Sequence, residues 1–495
     1  MNRIPYIAKA MVLGLLTTQI LATVHVYLSN IHLHQTVSVI AGAGYLTIPN
    51  QYIAQGLKDF GPAFFGGIFF TLSIGTGLSA LSAALAWFWN RIVSRNRLFL
   101  ISVAILWIAL LVVINTQGLS WIATSYFLVV PPVVFAATIK GMPDERLDRV
   151  WLHRLVPVIP IILLTIIWAA QSDRYLFLDI RDYLLLSNPV GKKVDDFYYR
   201  NTLYPAQVFK SLEQKTLKTC SIQGLKDKAL YSGAKRVLIN SDYLLVTPDT
   251  QVDLNIISEQ DRLGFYHNGR RILENSVQDF LLRPRKVLQD FSAATDTYGP
   301  FRQATFLCLL IGFPVFLYVM VFSLVHLLTA LFAEQKHCLV ITSALCFLIG
   351  LALLAPLHIG RPKPVSLSNV AQALKSDSWQ QRVSALRLIV NKRLEIGKYP
   401  AYRTSLTSDH VPERYWLAKA FGLSRVTKTY PHLLTLLDDP HPNIVSMAFY
   451  SLGQRGNRQA VPKIMKKIET SDHWYNQWYA YRALKSLGWR QSEYQ

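Results

Sequence analysis

Histidine is the residue type in this chain best placed to do chemistry. His25, His32, His34 and His358 lie toward one set of ends of the long apolar runs, and His153, His326 and His337 toward the other. Imidazoles near both faces of a helical membrane bundle are a donor set that b-type haem takes as axial ligands, so the pattern permits transmembrane electron transfer. The plainer reading is that each imidazole hydrogen-bonds within its bundle. Asp195 and Asp196 are adjacent, and successive side chains point apart on a helix or a strand. They read as a solvated surface, not an acid/base pair. Cys220, Cys308, Cys338 and Cys346 form no CxxC pair and no disulfide framework. Nucleophile elbow, phosphate loop and metal-ligand spacing are all missing from the sequence. No catalytic, cofactor or metal residue is assigned, and the expectation is a non-enzymatic protein.

Charge offers a second chemistry, that of docking. The formal net charge is +21, and residues 360–495 hold 21 Lys and Arg against 9 Asp and Glu, whereas residues 171–301 hold 18 against 16. The excess is therefore concentrated at the C-terminal end. Such a surface suits an acidic protein or anionic lipid. Nothing resembles a nucleic-acid-binding motif, so no nucleic acid is expected. Arg382, Arg387, Arg414, Lys419, Arg425, Lys463, Lys466 and Lys467 are the candidates for steering a partner. Trp474 and Trp478, in a run with Tyr475, Tyr479 and Tyr481, are the candidate aromatic contacts.

Positioning these side chains is the work of a membrane bundle. An apolar content of 51% with mean hydropathy +0.25 is too high for an ordinary soluble chain of 495 residues. Apolar runs at 10–28, 63–89, 98–114, 121–139, 155–170, 304–332 and 338–357 predict seven spans, the last two forming a hairpin. The domains follow as a five-helix membrane region at 1–170, an α/β domain at 171–300, the hairpin at 301–357 and a helical domain at 358–495. Arg3 and Lys9, then Arg91, Arg95 and Arg97, then Lys140, Arg146, Arg149 and Arg154 fall on one side, which the positive-inside rule makes cytoplasmic. Both soluble domains are then expected outside, on a bacterial inner membrane. The stretch 36–49 is too short to cross and is expected to be re-entrant or interfacial. Thr71, Gly75, Ser79 and Ala83 give one small-residue face for close helix packing. Prolines at 131, 132, 157, 160 and 314 could frame a transport site, but the seven span cores contain no Asp, Glu, Lys or Arg, which disfavours secondary transport.

In the middle region, Arg236 to Val246 reads as a strand pair or bent strand, and Leu263 to Tyr266 precedes an Asn268-Gly269 hairpin signal. Beyond residue 367, Arg382-Val383-Ser384-Ala385-Leu386, Tyr415-Trp416-Leu417-Ala418, Val445-Ser446-Met447-Ala448 and Tyr481-Arg482-Ala483-Leu484 recur with their alanines 30 to 35 residues apart, with Gly422, Gly453 and Gly488 read as turn glycines. The unit from Asp438 to Ile468 resembles HEAT-like repeats of the short phycobilin-lyase type. That resemblance implies an α-solenoid whose units bury their apolar faces only by stacking, and a protein-binding role. The expected function is a membrane-anchored scaffold or interaction subunit that docks membrane or periplasmic proteins of a complex, with anionic lipid as a further partner. A haem-ligating electron-transfer subunit and a transporter or envelope-assembly factor are the alternatives.

Overall fold

The computed structural model describes residues 6–142, 156–170, 176–247, 251–259, 262–359 and 364–494. Six of its helices are long and apolar enough to cross a membrane: Tyr6–Gly42, Phe60–Arg91, Arg97–Ile114, Trp121–Gly141, Gly299–Thr329 and His337–Ala355. The predicted fifth span is a shorter apolar helix, Val158–Ala170. At about 1.5 Å per residue its 13 residues reach about 20 Å. Arg3, Arg146, Arg149 and His153 lie outside the described residues.

The first helix departs most from the expected span. It runs 37 residues, or about 55 Å at helical rise, well beyond the roughly 30 Å of a hydrocarbon core. Its far end packs against the C-terminal helices. Within the stretch 36–49, Ile40, Tyr45, Leu46 and Ile48 join the core of the C-terminal helices. Hydrogen bonds fix the loop there, with the Leu46 amide donating to Gln491 at 3.1 Å and the Asn50 amide donating to Gln477 at 2.8 Å. Asn50 Nδ2 also donates to the carbonyls of Ile468 and Glu469, at the end of the Val461–Thr470 helix, and to that of Ser471 just past it. The apolar stretch is sequestered by protein.

Inside the bundle the small residues work as expected, between helices of one chain. A Cβ at Gly75 would stand 2.8 Å from Thr18 Cγ2, and Ser79 lies against Gly14. Two π-helical turns, Thr71–Gly75 and Cys308–Gly312, lie in contact where the Phe60–Arg91 and Gly299–Thr329 helices meet. Just there a Cβ on Gly312 would come within 2.4 Å of the Gly77 Cα. Because the obstacle is backbone, Gly312→Ala is expected to push the helices apart and destabilise the bundle by about 1–3 kcal/mol. Thermal unfolding in detergent tests this, with Gly42→Ala, where a Cβ meets nothing within 4 Å, as the silent comparison.

Both soluble regions sit at one end of the bundle. There Gly118 meets Thr297, and the short Leu203–Phe209 helix packs on the Phe60 end of the second long helix. At the opposite end Gly141 packs on Tyr6. The middle region holds a five-stranded sheet in the order β2-β1-β3-β4-β5, with β1 Lys218–Gln223, β2 Tyr243–Leu245, β3 Leu254–Glu259, β4 Arg262–His267 and β5 Arg270–Ser276. β1 pairs in parallel with β2 and β3, and β3-β4-β5 form an antiparallel meander. Asn268 and Gly269, both at positive φ, make the expected hairpin turn. The strand pair expected at 236–246 is corrected. Lys228–Asn240 is a helix, started by Asp227 accepting the amides of Ala229 and Leu230, and only Tyr243–Leu245 is strand. Ala234 and Leu238, one turn apart, supply its buried face.

The C-terminal region stacks four helices, Trp379–Lys392, Val411–Leu423, Pro442–Arg455 and Trp474–Ser486, each against the next. One contact recurs. The fourth residue of the first, second and fourth helices, Arg382, Arg414 and Gln477, reaches back to the carbonyl six residues earlier, on Ser376, Ser408 and Ser471. Gly422 and Gly453 are not turn residues. They lie inside helices, where an added Cβ would meet the Ser451 Cα at 2.9 Å and the Ala483 Cα at 3.1 Å. Their function is close stacking. Gly488, at φ +85°, does turn the chain.

Candidate interaction interface

Residues 176–201 lie along the stacked C-terminal helices and are held there by buried charge. Asp182, fully buried, accepts from Arg181 Nη2 at 2.6 Å, from Arg387 Nη2 at 2.7 Å and from Trp416 Nε1 at 2.9 Å. Arg387 Nη1 meets Asp179 at 2.7 Å. The two guanidiniums stack as well, Arg181 over Tyr415 at 3.8 Å and Arg387 over Trp416 at 4.8 Å. Burial alone would favour losing these positive charges. For Arg181 the Asp182 carboxylate outweighs burial, and for Arg387 the Tyr183, Asp182 and Asp179 groups do, so both pKa values go up. Two positive and two negative groups thus balance in a site shut off from water.

The helix Pro189–Asn201 continues this interface. Asn188 caps its first turn by accepting the Gly191 amide, and Pro189 sits at the start, where a missing N–H costs nothing. Asp195 and Asp196 do point apart, but only Asp196 meets solvent. Asp195 is buried and accepts from Asn443 Nδ2 at 2.9 Å, with His441 Nε2 at 4.0 Å. The solvated reading of Asp195 is corrected, and burial raises its pKa to about 6. Burial also lowers His441 and His473 to about 4. Both histidines precede the first residue of a stacked helix, and neither side chain caps it. An open cleft of about 370 Å³ follows the same edge, lined by Asp196, Arg200, Asp439, Lys467, His473 and Asn476 among others.

The predicted docking residues separate into three groups. Arg387, Lys419 and Trp474 face the chain's own segment: Lys419, over the Trp416 ring of its own helix at 4.8 Å, is within electrostatic reach of Arg181 and Asp182, and Trp474 Nε1 donates to the Tyr199 carbonyl at 2.8 Å. Arg382 and Arg414 join neighbouring stacked helices, pairing with Glu413 and Asp439 at 2.7 Å each. Lys467 and Lys463 meet Asp438 at 2.6 and 3.8 Å, Arg482 lies over Trp478 at 4.7 Å, and Arg425, Lys463 and Lys466 are exposed to solvent.

His25 and His326 have separate surroundings. His25 touches Tyr126 and Tyr298 through its two ring nitrogens at 3.4 Å each, inside a cage with Phe70 and Phe301. His326 lies 3.5 Å from both Cys338 Sγ and Thr342 Oγ1. Among the described residues no group of three or more His, Cys, Asp or Glu side chains could hold a metal ion. Sequence reasoning missed Asp179, Arg181, Asp182 and Asn443. The signal available was the alternation of acids, arginine and aromatics in LFLDIRDYLLL, at 176–186. No family model, curated protein sequence or solved structure matches the chain.

Proposed function

We propose that this protein is a membrane-embedded, non-enzymatic scaffold whose C-terminal helices form a HEAT-like solenoid that docks partner proteins of a complex. The observation that carries this reading is the interface itself. A face of the helical stack already holds residues 176–201 through the Arg181, Asp182, Arg387 and Trp416 network, so the stack is shaped to recognise helical segments. That contact fixes the solenoid rigidly to its anchor and leaves Arg425, Lys463 and Lys466 facing water, where they can steer an acidic partner.

The orientation follows from charge. Arg95, Arg97 and Lys140 belong to the end of the bundle opposite the soluble regions, so that end is cytoplasmic under the positive-inside rule and the soluble regions lie outside. A bacterial inner membrane fits this arrangement. Charge reversal at Arg425, Lys463 and Lys466 together is expected to abolish co-purification of partners from gentle detergent at moderate salt. Unchanged co-purification by this variant would remove the docking mechanism. A Soret band in the purified chain would instead move function to the histidines of the bundle.

A further inference from the structure

The helix Pro189–Asn201 is amphipathic in an unusual sense. Its polar Asp195 faces protein, whereas Val190, Val194, Phe197 and Tyr198 are 73%, 51%, 38% and 49% exposed. Positions 190, 194, 197 and 198 fall on one stripe of a helix. A stripe of four large apolar side chains on a charged soluble region requires a partner.

The fold places that stripe against the membrane-crossing part of the chain. Phe197 makes an edge contact with Phe65 at 5.7 Å, and Phe65 in turn contacts Phe64, which stacks on Phe60. All three phenylalanines are solvent-exposed and belong to the first turns of the long apolar helix Phe60–Arg91. Depth can be counted along that helix. Trp89, near its other end, is an aromatic of the interfacial type, and 24 residues separate it from Phe65, about 36 Å at 1.5 Å each. A hydrocarbon core takes up about 30 Å and the headgroup layers bring the total to about 40–45 Å. Phe65 and its neighbour Phe197 therefore stand at the level of the headgroups. Lys193, exposed and next to the stripe on the helix surface, stands at the height where ammonium groups meet lipid phosphates.

From this juxtaposition we infer that the Pro189–Asn201 helix lies flat in the lipid interface, with Val190, Val194, Phe197 and Tyr198 in the acyl boundary. The inference rests on the membrane reading of the bundle. The helix has two partners at once: lipid on its apolar stripe and the stacked C-terminal helices on its Asp195 face. It couples the docking stack to the bilayer surface.

The test uses the full chain in bilayer discs of phosphatidylcholine with and without phosphatidylglycerol. Nitroxide labels are placed singly through Val190→Cys and Val194→Cys, with the labelled unsubstituted chain as background for the native cysteines. Ile105→Cys, exposed on an apolar helix, and Lys235→Cys, exposed in the middle region, are the references. The expected result is that collision with oxygen relative to a water-soluble nickel complex is several-fold higher at 190 and 194 than at 235. Nickel access at 190 and 194 equal to that at 235 overturns the inference, as does exclusion of both reagents, which would mean that protein covers the stripe. If the Ile105 label is also open to nickel, the membrane reading fails with it. A lipid-exposed Ile105 beside water-exposed 190 and 194 sinks the interfacial helix alone.

Discussion

Asp182→Asn is expected to destabilise the soluble regions by about 3–5 kcal/mol, because it leaves two buried guanidiniums facing a single carboxylate. The Asp182 carboxylate is fully buried and accepts from Arg181, Arg387 and Trp416 at 2.6, 2.7 and 2.9 Å. An amide of the same shape keeps an oxygen for one donor but points an N–H₂ at another, and it supplies no countercharge. Arg387 can fall back on Asp179, whereas Arg181 has Asp182 as the acid within bonding distance. The loss should appear as earlier unfolding of the C-terminal helices, followed by tryptophan fluorescence, since Trp416 is itself in the network. Asp196→Asn is the comparison. Its ion pair with Arg200 is exposed, so a change of less than about 1 kcal/mol is expected. Adding Arg387→Met to Asp182→Asn should recover part of the loss by removing one unpaired charge. Equal effects of Asp182→Asn and Asp196→Asn would show that the network does not hold the interface.

The reason this network was not legible in the sequence is physical. Apolar periodicity reports which side chains leave water, and it reports the long helices well because their outer and core-facing positions are both apolar. The recurrence of the stacked helices is legible for the same reason, since the small Ala418 and Ala448 are buried where successive helices pack; the helices themselves start 32, 31 and 32 residues apart. Charged residues carry no such signal, since Arg387 in a buried ion pair and Arg425 in solvent look alike until a partner is placed beside them. That partner, Asp182, lies 205 residues away. Glycines misled in a similar way. Gly422 and Gly453 read as turns because turns are what glycine most often serves, yet here they admit Ser451 and Ala483 of the next helix. The apolar run of the first helix ends at residue 28 in the sequence because Asn30, His32 and His34 interrupt it. The helix runs on through them to Gly42, and its last residues pack on the C-terminal helices.

Acid is expected to loosen the interface between pH 6.5 and 4, and the sign follows from three buried groups. His441 and His473 are held at about 4, below their ordinary 6.5, by burial. A base with a depressed pKa contributes stability that is complete above pH 6.5 and is lost as pH falls toward 4, since the unfolded chain takes up protons first. By pH 5 that loss is about 2 kcal/mol for each histidine. Asp195 acts in the opposite direction. Its pKa is raised to about 6, so the fold favours its neutral form, and its contribution returns as pH falls through 6, offsetting about 1 kcal/mol between pH 7 and 5. Two histidines outweigh one carboxyl, and the chain should lose about 2 kcal/mol net over that interval. His441→Asn with His473→Asn removes both titrations. It also puts a good capping residue before two helices whose present N-cap side chains make no capping bond, worth about 1 kcal/mol each. Denaturant midpoints at pH 7 and 5 decide the matter. The double variant should be level or slightly more stable at pH 5, the residual trend being that of Asp195. If it retains the full acid loss of the parent chain, protonation of these two imidazoles is not what opens the interface.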